Sequence, residues 1–138
     1  MSRRGKEPRW LTPSFAIFAN REIATVSGGS AGVRDHGLLE SALARGAHRW
    51  AYDETADLFD AVAAVCHGVC KNHPFIDGNK RTAFQCAYVL LRVNGVRLRA
   101  AELDVVLEME QLAAGTRKEA DFAVFLRTNC SRPRARTR

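Results

Sequence analysis

No apolar stretch in this sequence approaches the roughly 20 residues that a membrane-spanning helix requires. The longest, Ala61–Cys66 and Cys86–Leu91, are six residues each. The N-terminus is basic (Arg3, Arg4, Lys6), but no apolar core of a secretory leader follows it, so the expected location is the cytoplasm. Cysteine is sparse. Cys66, Cys70, Cys86 and Cys130 give no disulfide framework for a chain of 138 residues. The group Cys66, His67, Cys70 and His73 matches none of the usual zinc spacings, and buried helical thiols are expected there instead. The central body also lacks an excess of positive charge. The net charge is +6, but residues 1–9 contribute +3 and residues 131–138 contribute +4, leaving −1 for residues 10–130. A nucleic-acid module carries its basic face on the folded body, so no specific nucleic-acid partner is expected. The two ends, residues 1–10 and 129–138, read as solvated basic tails around one domain at 11–128.

What is present is helix-forming sequence. Apolar residues are 46% of the chain and charged residues 26%, and a domain of this size buries about 68–70% of its unfolded surface without staples. Thr12–Pro13 is a cap followed by proline at the first helical position, opening a helix over about Ser14–Val26 that Gly28–Gly29 ends. A short second helix is expected around Leu38–Leu43, then an irregular stretch over 46–55 containing Trp50 and Tyr52. Thr55 is placed to cap a third helix, about Asp57–Lys71. A fourth covers about Asn79–Asn94 and ends at Gly95; Val96–Leu98 reads as extended, and two more helices cover about Ala101–Ala114 and Lys118–Thr128. The third and fourth are apolar or small nearly all round, so other helices must enclose them. The expected fold is an all-α compact bundle of about six helices, with a central helical hairpin whose link is Asn72–Gly78.

That link carries the chemistry: His73-Pro74-Phe75-Ile76-Asp77-Gly78-Asn79-Lys80-Arg81. Pro74 disfavours helical geometry at His73 and fixes the imidazole at a turn. The next helix opens with two cations, against a helix dipole that disfavours a cation at its N-terminus by about 0.3–1 kcal/mol. The placement is reasonable if an anion sits there. Free N–H groups, Gly78 and the side chains of Lys80 and Arg81 make a phosphate cradle. Asp77 beside it suits a hard cation such as Mg²⁺ bridging a carboxylate to phosphate. Histidine is the side chain that titrates nearest neutrality, and His73 is placed to take a proton from a hydroxyl. Singly, each residue has an ordinary structural explanation: Asp77 as a helix cap, His73 as a hydrogen-bonded histidine, Lys80 and Arg81 as surface charges. Together within nine residues they describe a phosphoryl- or nucleotidyl-transfer site.

The segment resembles the motif of the Fic/Doc superfamily, and more closely its Doc (death-on-curing) toxin branch: His-x-Phe-x-Asp/Asn-Ala/Gly-Asn-Lys-Arg is met at every defined position from His73 to Arg81. Gly32-Val33-Arg34-Asp35, Leu38-Leu39-Glu40-Ser41-Ala42, Asp57-Leu58-Phe59 and Leu91-Arg92-Val93-Asn94-Gly95 extend the likeness over about residues 11–128. Fic adenylyltransferases carry a glycine where this chain has Lys80 and a second arginine where it has Phe84. The resemblance therefore implies the Doc chemistry, transfer of the γ-phosphate of ATP to a protein Ser or Thr; adenylyl transfer or a catalytically inactive binding module are the alternatives. In that reading His73 is the general base, Asp77 holds Mg²⁺, Gly78 and Asn79 line the anion hole, and Lys80 and Arg81 bind the phosphates. The stretch around Ala47–Thr55 matches the segment where the target protein docks. The resemblance further implies a translation factor of the elongation factor Tu kind as target. It also implies a Phd-like antitoxin whose C-terminal helix fills a groove, because no Glu-Gly or Glu-Asn dipeptide marks an inhibitory helix in this chain. Phe18 stands where a histidine is common in the branch.

Overall fold

The computed structural model describes residues 5–132. Six helices run in chain order: α1 (Pro13–Ser27), α2 (His36–Tyr52), α3 (Leu58–Asn72), α4 (Asn79–Val93), α5 (Glu102–Ala114) and α6 (Glu119–Asn129). Two-residue strands β1 (Arg97–Leu98) and β2 (Cys130–Ser131) pair antiparallel, Arg97 opposite Ser131. The fold is the expected all-α bundle, and α3 is its axis. Every residue from Ala61 to Cys66 is buried, and α2, α4, α5 and α6 all pack on this helix.

Local chemistry sets most boundaries. The Thr12 hydroxyl accepts from Phe15 N–H (3.2 Å), and Gly28 closes α1 in the left-handed region at φ 78°. The cap of α3 is Asp57, not Thr55. Asp57 accepts from Asp60 N–H and Asp60 accepts from Asp57 N–H, both at 3.0 Å, a reciprocal capping box. Thr55 is turned back onto Asp53, its hydroxyl donating to Oδ1 at 2.6 Å.

The second helix is longer than the sequence pattern suggests. It continues through the stretch expected to be irregular and ends at Tyr52. Glycine in a helix costs roughly 1 kcal/mol in intrinsic propensity, but here close packing decides the matter. A Cβ on Gly46 would lie 2.8 Å from Val65 Cγ2 and 3.2 Å from the Ala61 carbonyl. A Cβ on Gly68 would lie 3.1 Å from Ala42 Cα. These two glycines let α2 and α3 approach closely, and they fix the pair as antiparallel: Ala42 meets Gly68, and Gly46 meets Ala61 and Val65. Trp50 continues the buried face of Leu39, Ala42, Leu43 and Gly46, whereas Tyr52 is exposed.

At the ends, residues 7–10 of the stretch read as a tail lie on the bundle. Pro8 is buried, Asn94 brackets the Arg9 backbone (2.8 and 3.1 Å), and Trp10 packs against the core. Cys130 and Ser131 belong to the small sheet. The rest of the basic ends, residues 1–4 and 133–138, lie outside the described residues. Cys66, Cys70 and Cys86 are buried free thiols, and among the described residues no cluster of His, Cys, Asp and Glu is built to hold a metal. No described helix is long and apolar enough to cross a membrane.

Candidate active site

The link between α3 and α4 is held in an unusual backbone conformation. His73 caps α3 at φ 48°, ψ 56°, the only described non-glycine residue with positive φ. A left-handed non-glycine residue costs of order 1–2 kcal/mol, so the surroundings must hold it there. They do so from three sides. His73 N–H donates to the Val69 carbonyl (3.2 Å). Arg34 donates from Nε to the His73 carbonyl (2.8 Å) and from Nη2 to the Asn72 carbonyl (2.9 Å), while its backbone N–H donates to the Pro74 carbonyl (2.6 Å). The ring Nδ1 lies 3.4 Å from Asn79 Nδ2.

Phe75 anchors the loop in the core at 1% exposure, and Ile76 points outward. The Asn79 side chain is consumed in stitching the turn: Oδ1 accepts from Phe75 N–H and Nδ2 donates to the Phe75 carbonyl, both at 2.9 Å. What Asn79 can offer a ligand is therefore its backbone N–H. Helix α4 opens at Gly78 (φ 75°) with no side-chain cap, and its first backbone bond is Thr82 N–H to the Gly78 carbonyl (2.9 Å). Helical geometry gives the N–H groups of Asn79, Lys80 and Arg81 no acceptor within the helix. Asp77 does not cap α4; one of its oxygens, Oδ2, accepts from Ser30 N–H at 3.0 Å.

These residues surround one cavity. His73, Asp77, Gly78, Asn79, Lys80 and Arg81 all line a space of about 460 Å³, with Ser27 and Ile76 at its rim and Cys70 among its walls. A hydrogen bond from Cys66 holds the Cys70 thiol below its ordinary value despite burial, and nearby Lys80 acts in the same sense. The arrangement unites a proton acceptor, a lone carboxylate, an uncapped helix start and two cations. A single carboxylate suits a Mg²⁺ ion that keeps most of its ligands from water and phosphate, and does not suit an all-protein metal cage. Asp77 is the residue here that would hold such an ion.

Two positioning groups escaped the sequence reading. Asn20 on α1, 1% exposed, donates from Nδ2 to the Asp77 carbonyl (2.8 Å) and to Thr82 Oγ1 (3.2 Å), and its Oδ1 accepts from Gly32 N–H (3.1 Å). It joins the motif loop, the first turn of α4 and the loop before α2. The only available signal was one polar residue on the alanine-lined face of α1. Arg34 is the other; its role needed the fold to bring it to the end of α3.

The segment running beside the motif is not Ala47–Thr55. Residues 29–35 take that place: Ile76 N–H donates to the Gly32 carbonyl (3.0 Å), and Val33 bridges Phe75 antiparallel. Because α2 is antiparallel to α3, Ala47–Thr55 lies at the opposite end of a 15-residue helix, about 20 Å from His73 at 1.5 Å per residue.

A model of the Fic/DOC family matches residues 10–91. Toxin Doc of Mycolicibacterium smegmatis is 46% identical over 79 residues, which cover 56% of this chain and 60% of that protein. Protein kinase doc of Escherichia phage P1 is 41% identical over 90 residues, covering 65% of this chain and 71% of that protein.

Proposed function

This chain belongs to the Fic/DOC family, in its Doc branch, and from that premise we propose that it is the toxin of a toxin–antitoxin pair, acting in the cytoplasm as an ATP- and Mg²⁺-dependent kinase of protein Ser or Thr. The observation that carries the reading is the cavity in which His73 and Asp77 share walls with the uncapped, cationic start of α4. The N–H groups of α4 and the side chains of Lys80 and Arg81 bind the phosphate chain and offset the charge that develops as the terminal phosphoryl group moves. His73 takes the proton of the attacking hydroxyl; the new O–P bond forms as the bond to the ADP oxygen breaks. Asp77 would hold the magnesium ion, which neutralises phosphate charge when bound. Asn20, Asn79 and Arg34 fix the loop that carries these groups.

Two features support γ-phosphoryl over adenylyl transfer. Lys80 fills the position where adenylyltransferases of the family carry glycine, and Phe84 puts an apolar wall where they carry an arginine. The proposed target is a translation factor resembling elongation factor Tu, whose modification arrests growth. The proposed restraint is a Phd-like antitoxin helix; exposed Phe18, Leu103, Val106 and Leu107 are the apolar kind of surface that such a helix covers. The test is transfer of label to protein in a cell extract from ATP labelled at either the α- or the γ-phosphate. Label from the γ position alone is expected, falling at least 100-fold in His73→Ala. Label from the α position alone would refute the kinase assignment.

A further inference from the structure

Lys80 has a partner that a phosphate cradle alone does not require. Its Nζ lies 2.5 Å from Oε1 of Glu110, thirty residues away on α5. Lys80 and Arg81 border two cavities. One is the space at the motif loop; the other, of about 420 Å³, is walled by Ile23, Phe84, Val106 and Met109. Glu110 borders only the second. The pair therefore draws the ammonium toward α5, although the N–H groups that open α4 and the His73 ring belong to the first cavity.

We propose that Glu110 is a positioning residue, an internal carboxylate that holds Lys80 until the phosphate chain of a nucleotide displaces it, and that it thereby sets the affinity of the site for polyphosphate. The proposal rests on the reading of the loop cavity as the nucleotide site. Its physical basis is a competition between anions. Both side chains are partly exposed, 41% for Lys80 and 57% for Glu110, so the pair has the strength of a surface ion pair. Such a pair yields to a ligand that carries more negative charge and also accepts from backbone N–H groups at a helix start. Exposed pairs of this kind shift equilibria by up to about fivefold.

The experiment is calorimetric titration of inorganic tripolyphosphate, without divalent metal and at low salt, into the full-length protein and three variants: Glu110→Gln, Lys80→Met and the double variant. Glu110→Gln is expected to bind about two- to fivefold more tightly, with the gain shrinking in 0.5 M salt. Lys80→Met is expected to bind more weakly, and adding Glu110→Gln to it to restore less than about 1.5-fold. An equal gain in the Lys80→Met background overturns the proposal, since Glu110 would then act through bulk charge alone. Unchanged or weaker binding in Glu110→Gln, with Lys80→Met still impaired, also overturns it and leaves the nucleotide site standing. Absence of binding in all four proteins removes both readings.

Discussion

Replacing Asn20 by alanine tests whether the motif loop is held from beneath by one buried amide. The substitution removes three hydrogen bonds, to the Asp77 carbonyl, to Thr82 Oγ1 and from Gly32 N–H. Each intramolecular hydrogen bond contributes about 0.5–1.5 kcal/mol net, and a buried group left without its partner costs about 1–3 kcal/mol. Asn20 is 1% exposed, so water does not replace the lost amide without rearrangement. The expected loss is therefore about 2–4 kcal/mol, a large share of the roughly 5–15 kcal/mol by which domains are stable. For a chain of 138 residues this corresponds to a fall in Tm of about 6–15 °C. Circular dichroism melting measures it, and amide hydrogen exchange at Gly32 gives the local readout, with faster exchange expected in the variant. The proposed phosphoryl transfer, assayed well below the lowered Tm, should drop further than the folded fraction does, because the Asp77 backbone loses its tether. A Tm within 2 °C of the parent protein, or unchanged exchange at Gly32, would refute the argument that Asn20 positions the loop.

Gly68→Ala should destabilise the protein by about 1–3 kcal/mol despite alanine's better helix propensity, because its Cβ would sit 3.1 Å from Ala42 Cα and 2.9 Å from Arg45 Cδ. A denaturant midpoint at or above that of the parent would contradict close α2–α3 packing. Stability should also fall in two steps on acidification. Burial lowers the His67 pKa below its ordinary 6.5; Glu119 pulls the other way, at 3.1 Å, but Arg45 and Lys71 oppose it. The unfolded chain thus binds a proton on His67 more readily than the folded one, and stability drops as the pH falls below 6.5. His67→Gln should remove that first step in pH-dependent melting. For Asp57, burial pushes its pKa up, but the Arg127 guanidinium (2.9 and 3.0 Å) and the Asp60 N–H outweigh it and hold the carboxyl below 3.8. Its stabilisation is present above that value and is lost as the pH falls through the lower folded one. Arg127→Met should flatten this second step.

Helix existence and the central hairpin were legible because they rest on short-range chemistry: the Thr12–Pro13 start, the Gly28 stop and the all-apolar face of α3 each act within a few residues. The six residues of the motif were legible for the same reason, since one turn between two helices brings them to one cavity. The end of α2 was not, because the benefit of Gly46 in a helix exists only when α3 lies against it. The choice of Asp57 over Thr55 as cap is itself local, a reciprocal pair with Asp60 three residues on, and Arg127 from α6 then adds an ion pair to the same carboxylate.

By itself, then, the sequence determined that the candidate groups share a turn, since a nine-residue span leaves them nowhere else to go. Only the tertiary structure decided what holds that turn and what flanks it. Asn20 and Arg34 reach the loop from 57 and 39 residues away, residues 29–35 rather than Ala47–Thr55 run beside it, and Glu110 meets Lys80 across two helices. Contacts of that range depend on how α1, α2 and α5 pack around the α3–α4 hairpin, and no local pattern encodes that packing.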